Sequence, residues 1–192
     1  MISTNKRWKP YLATILFIAG MAATADGIAI YLKAHAAQIL IEQAWKESIN
    51  SGQIVKPWPW ADTWPVARLR AKEAGTDLYV LQGAQGSALA FGPGWMADGV
   101  EPEQRGTKLI AGHRDTHFKF LQKIKKNDVL SLINKHGTEQ QYRVHSIQII
   151  DTSKENIMID SREEKLVLIT CYPFDAIETG GPQRYIVSAV RD

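Results

Sequence analysis

One cysteine, one histidine and one arginine fall where side chains can meet. Cys171 is the only cysteine in the chain, and it ends the apolar, β-branched run Leu166–Val167–Leu168–Ile169–Thr170. Such a run has strand character, and Tyr172–Pro173 stops it, because proline has no N–H for a sheet ladder. A Gly–Gly–Pro turn at Gly180 to Pro182 returns the chain, and Arg184 opens the next strand-like run, Tyr185–Ile186–Val187. If those two strands pair as neighbours, the thiol and the guanidinium face each other across the loop mouth. A second short run, Leu109–Ile110–Ala111, ends at Gly112 and presents His113, with His117 four residues on. A thiol is a nucleophile only as thiolate. His113 can hold its proton and later protonate a leaving amine. Arg184 stays charged and so acts electrostatically, on an oxyanion or on substrate carbonyls. Thr170 offers a hydroxyl for substrate; it is equally an ordinary β-branched strand residue. Asp115 reads as a solvated loop acid ahead of the alternative that it orients His113; Asp175 and Glu178, in the Cys–Arg loop, suit solvation or substrate selection equally.

The elements that must position these groups are short and β-rich. Candidate strands lie at Leu78–Leu81, Ala88–Phe91, Leu109–Ala111, Val129–Ile133, Gln141–Ile150, Leu166–Cys171 and Arg184–Val190, within a region starting near Ala67. In Gln141–Ile150, Tyr142, Val144, Ser146 and Gln148 are expected on one face. A short helix is expected over Thr116–Lys125, with Phe118, Leu121 and Ile124 on one side. About eight strands with few helices predict a mainly β fold, a closed or nearly closed eight-stranded barrel. The glycines at Gly83, Gly86, Gly92 and Gly94 lack the Gly–Lys–Ser/Thr of a phosphate loop and read as turn chemistry. Lys154–Glu164 is a charged connection with an apolar centre, Ile157–Met158–Ile159.

Before the barrel the composition changes. Residues 1–10 are polar and basic and are expected to stay cytoplasmic; residues 11–33 form an apolar stretch long enough to span a bilayer, flanked by Tyr11 and Tyr31. Asp26 is a costly residue within it. A cleavable signal ending at Ala34–His35–Ala36 is the alternative, and the length of the run favours an uncleaved anchor. Residues 34–66 read as a helical stalk, with Ile39, Leu40, Ala44 and Trp45 as its apolar stripe, broken at Asn50–Ser51–Gly52. A Trp/Pro-rich arm, Pro57 to Pro65, follows; it either packs its indoles on the domain or touches the membrane interface. Residues 67–192 form the β domain.

The net charge of +3 in 192 residues, with acids interspersed, gives no footprint for nucleic acid. A single cysteine excludes an internal disulfide. Two other function classes were weighed against thiol chemistry. A zinc hydrolase would use His113 and His117, but the H-x-x-x-H pattern needs one helical face, and Arg114 stands where a zincin has glutamate. A membrane-tethered binding module with an inert Cys171 would have no use for a converging thiol, cation and imidazole.

The segments Ala111–Gly112–His113, Ile169–Thr170–Cys171 and Arg184, in that order, resemble the sortase family. The wording IAGHRDTHF and TCYPFDAIETGGPQRYIV is similar to the sortases of proteobacteria. The resemblance covers about Ala67 to Arg191, with an echo at Trp58–Trp64. Gly106–Thr107 departs from the Gly–Asn expected there. It implies a membrane-anchored cysteine transpeptidase with Cys171, His113 and Arg184 as its catalytic residues and no metal or cofactor. Its partners would be a dedicated exported protein bearing a C-terminal sorting signal, cut after a threonine, and an amine acceptor. The implied location is the inner membrane, in a single pass, with the catalytic domain on the periplasmic side.

Overall fold

The computed structural model describes residues 8–155, 163–176 and 180–192. Ile157–Met158–Ile159 and Glu178 lie outside the described residues. The chain forms two compact units, meeting in sequence between Ile39 and Leu40. The long helix α1 (Trp8–Ser51) contributes to both. Its N-terminal part is long and apolar enough to cross a membrane. Ile15, Leu16, Phe17, Ile18 and Met21 are exposed along it.

In the second unit the last turns of α1 bury Ile41, Ala44, Trp45 and Ser48. Their spacing of i, i+3, i+4 and i+7 makes one helical face. This corrects the stripe expected from sequence: Ile39 and Leu40 are exposed, because the buried face that contains Ala44 and Trp45 continues backward to Ile41. Trp45 packs against Tyr79, ring centroids 6.2 Å apart. Gly52, at φ 70°, ends the helix by returning its N–H to Ser48 O at 2.9 Å. In the arm that follows, Trp58 sets its edge on Phe91 at 5.2 Å, whereas Trp60 is 82% exposed.

Eight strands then close a barrel: β1 (Pro65–Ala71), β2 (Thr76–Gln82), β3 (Gly94–Trp95), β4 (Lys108–Ala111), β5 (Val129–Asn134), β6 (Glu139–Asp151), β7 (Lys165–Cys171) and β8 (Gln183–Arg191). The order around it is β1-β2-β3-β4-β7-β8-β6-β5, returning to β1. Pairings are antiparallel except β2 with β3 and β4 with β7. Pro65 opens β1, a position where a missing N–H costs least. The segment Thr116–Lys125, expected as a short helix, contains a 3₁₀ turn at Lys119–Lys123, and Phe118, Leu121 and Ile124 are buried.

Two expectations fail. Gly86–Phe91 is a helix, α2, not a strand; its Ser-Ala-Leu-Ala composition favours helix over sheet, and Ala88 packs with Leu81 and Ile41. The alternation expected along β6 also breaks. Tyr142 and Val144 point inward, but the register with β8 slips between Val144 and Ser146. The extra residue, His145, flips the phase. Ile147, opposite Val187, therefore packs on the core in place of Ser146 and Gln148.

The barrel interior holds Leu69, Val80, Ile110, Leu132, Leu168 and Val187 among others. Each such side chain stabilises the fold by roughly 1.5–3 kcal/mol relative to exposure. Tyr142 is fully buried there, its hydroxyl donating to Gln140 Oε1 at 2.7 Å. Burial pushes its phenol up to about 12 from an ordinary value of 10.0. A raised folded-state pKa gives stability that is whole below pH 10 and lost as the pH climbs through about 12. We therefore expect the stability advantage of the native chain over Tyr142→Phe to shrink by roughly 2 kcal/mol between pH 9 and pH 12 in urea titrations.

Candidate active site

The ends of three strands collect at one rim. β7 and β8 are antiparallel neighbours, and their last register pair is Cys171 with Arg184. The two residues thus sit directly opposite in the sheet, as the pairing of those two runs requires. β4 runs parallel to β7, with Ala111 beside Ile169. Two further residues along each chain lead to His113 and to Cys171, at the same end of the parallel pair. The ladder continues past the end of β4 through Gly112 N–H to Ile169 O at 3.1 Å. Thr170 adds a side-chain stitch, donating its hydroxyl to Gly112 O at 2.7 Å. Thr170 is 3% exposed, so the hydroxyl considered for substrate instead holds the backbone immediately before His113.

Side-chain parity sorts the rim into two faces. Leu166 and Leu168 of β7 point into the barrel, while Val167 and Ile169 join Leu109 and Ile186 in a separate apolar cluster on the outside. Cys171 shares the parity of Val167 and Ile169, and Arg184 that of Ile186. Thiol and guanidinium therefore lie on the outer face, at the end of an apolar floor edged by Met96 and Ile150. Cys171 is a free thiol, half-buried, and His113 is exposed. On the inner side Tyr172, Phe174 and Tyr185 plug the barrel end. Tyr172 stacks on Tyr185 at 6.1 Å, and Phe174 meets Tyr185 edge-on at 5.0 Å.

Arg184 is held by its own loop. Nη1 donates to Gly181 O at 2.5 Å and to Gln183 O at 2.9 Å. The Tyr172 N–H is taken by Gln183 O at 3.1 Å, so it is not available to an oxyanion. Gly112 is required by packing: a Cβ there would meet the Phe118 ring at 2.8 Å. That glycine lets the chain turn so that Phe118 N–H reaches back to His113 O at 2.9 Å. His117 is half-buried in this turn; desolvation lowers its pKa, and the neighbouring His113 lowers it further. The two histidines occupy a turn after a strand, not one face of a helix. Asp115 and Asp175 are both exposed. Arg114, in sequence only a mismatch to a zinc motif, is buried and donates to Ala176 O at 2.8 Å. An arginine directly after the histidine carried no signal of burial by itself.

A family model described as the sortase domain matches residues 69–192. Sortase D of Bacillus subtilis (strain 168) is 31% identical over 124 residues, 64% of this chain and 62% of that protein. The chain thus matches less than two thirds of that relative's length. Among solved structures, sortase A from Corynebacterium diphtheriae superposes with a TM-score of 0.59 at 23% identity, covering 74% of this chain and 67% of that one. A sortase D5 transpeptidase from Clostridium perfringens gives a TM-score of 0.65 at 20% identity, covering 82% and 99%. At these identities the structural likeness speaks for the fold.

Thr170→Val keeps the shape of the side chain and removes the stitch, leaving the Gly112 carbonyl without that donor. We expect a loss of about 1–3 kcal/mol in urea denaturation, with faster amide exchange at residues 112–118 than in the rest of the barrel.

Proposed function

The chain belongs to the sortase family, and on that footing we propose that it is a membrane-anchored cysteine transpeptidase acting on a dedicated exported protein. The observation that carries this reading is the register pair Cys171–Arg184 with His113 led in alongside by the parallel β4. In the proposed reaction the Cys171 thiolate attacks the carbonyl carbon of a peptide bond. Arg184 stabilises the oxyanion through donors other than Nη1, which its own loop occupies. His113 gives its proton to the departing amine as the C–N bond breaks, leaving a thioester on Cys171. An incoming amine then loses a proton to His113 and attacks the thioester. Collapse forms the new amide and expels the Cys171 thiolate, with His113 again protonated. Thr170 serves as a positioning residue, fixing the backbone before His113 rather than touching substrate.

Met96 and Ile150, half-buried at the edge of the outer cluster, offer apolar contact to a peptide lying near the Cys171 end of β7. The N-terminal helix, long and apolar enough to span a bilayer, supports anchoring. Basic residues ahead of it favour a cytoplasmic N-terminus and a catalytic unit on the far side, the periplasmic side of the inner membrane if the protein is of the proteobacterial type.

Mass spectrometry of the protein incubated with a candidate target tests the reading. We expect an acyl adduct on Cys171 that resolves to an amide when an amine is supplied and to a free acid when it is not. A wild-type protein that processes its target with no mass gain on Cys171, or a fully active Cys171→Ala, would end the proposal. Arg184→Lys replaces a planar fork by a point charge. We expect its kcat/KM to fall by about 10²–10³ with the unfolding midpoint little changed; wild-type kinetics in that variant would remove Arg184 from the site.

A further inference from the structure

Arg114 follows the proposed base directly in sequence, yet only 8% of it is exposed. A buried guanidinium is costly unless its donors are met. Its Nη2 donates to the carbonyl of Ala176 at 2.8 Å, joining residues 62 apart. Bonds from a charged donor are stronger than neutral ones. Ala176 belongs to the loop that leaves Cys171 and returns as Arg184. The far half of that loop is fastened separately. Thr152 gives both its N–H and its hydroxyl to Pro182 O, at 3.0 and 2.8 Å, and Arg184 holds Gly181 and Gln183. In the near half, Tyr172 is tied to the return strand by its N–H to Gln183 O and by stacking on Tyr185, and Phe174 by its ring contact with Tyr185, while Arg114 bonds Ala176 at the far end of that half. The bonds that hold the end of β4 to β7, Gly112 N–H to Ile169 O and Thr170 to Gly112 O, do not involve Arg114.

We propose that Arg114 is a positioning residue that latches the Cys171-proximal half of the β7–β8 loop to the turn carrying His113, so that the two loops bound the peptide groove as one wall. Its kinetic consequence rests on the transpeptidase reading above; its mechanical consequence does not. Releasing the latch frees residues 172–176 while the thiol and imidazole stay on their strand ends. Peptide binding therefore suffers more than bond making.

Arg114→Gln in the full chain tests this, the shorter neutral side chain having insufficient reach to Ala176. Hydrogen exchange should quicken about tenfold or more in 172–176 with β4 and β7 as in the wild type. KM for a target peptide should rise about tenfold with kcat within threefold. Should Arg114→Gln fold too poorly to read, Arg114→Lys, which keeps the charge on a shorter stem, is read the same way. Unchanged exchange in 172–176, or an equal loss of protection throughout the barrel, overturns the latch. Quickened exchange in the loop with a collapse of kcat and a constant KM overturns its assignment to binding. A wild-type protein that transfers nothing, together with loop exchange quickened by the substitution, sinks the transpeptidase reading and keeps the latch.

Discussion

The parallel pairing of β4 with β7 is the constraint on which the site depends. Parallel strands finish on the same side of a sheet, so whatever follows β4 and whatever ends β7 must emerge at one rim. An antiparallel β8 must start where β7 stops. These two directions bring the chain ends that carry His113, Cys171 and Arg184 to one rim from three separate segments. The buried bond from Thr170 to Gly112 O then extends the pairing one step beyond the last ladder residue of β4. It fixes the chain where a strand end would otherwise fray.

The same three strands carry apolar residues on both faces. The inward residues fill the barrel, and Leu109, Val167, Ile169 and Ile186 form a second cluster outside. This explains why Leu166 to Ile169 reads as an unbroken hydrophobic run instead of an alternating one. Strands covered on both faces have no polar side to show. The outer cluster is itself covered, its four residues buried. Here it leads directly to the thiol.

Charge plays two different parts. Near the surface, Arg68 pairs with Asp77 and Arg143 with Asp192 through two parallel bonds each, where water screens the attraction and the planar fork fixes the geometry. The buried cations are constrained far more tightly. Lys108 is nearly inaccessible and gives its ammonium to Gln104 O at 2.7 Å, while burial lowers its pKa. Arg114 spends its Nη2 on a loop carbonyl. In both cases a charge that would be expensive in the interior is met by a backbone carbonyl of a neighbouring loop.

Much of this was legible in the residues. The strand-ending Cys171, the strand-opening Arg184 and the Gly112–His113 exit each announced themselves through β-branched runs stopped by proline or glycine, a local steric signal that survives in any fold. The apolar N-terminal stretch was legible for the same reason, since length and composition alone decide whether a helix matches a bilayer. What failed was whatever depended on a neighbour. Ile41 rather than Leu40 faces the barrel because the packing face of α1 is chosen by its contact. Ile147 replaces Ser146 in the core because a bulge is set by the register of two strands, which one strand's pattern does not encode. Ala88–Phe91 is helical although its apolar run is short enough to be taken for a strand; the helical preference of its residues and the packing of Ala88 on Leu81 and Ile41 act together. The residue types able to do chemistry are thus fixed by sequence. Which of them meet, and that Thr170 and Arg114 spend their polar atoms on backbone, is fixed only by pairing between distant segments, because hydrogen bonds and burial belong to neighbours in space.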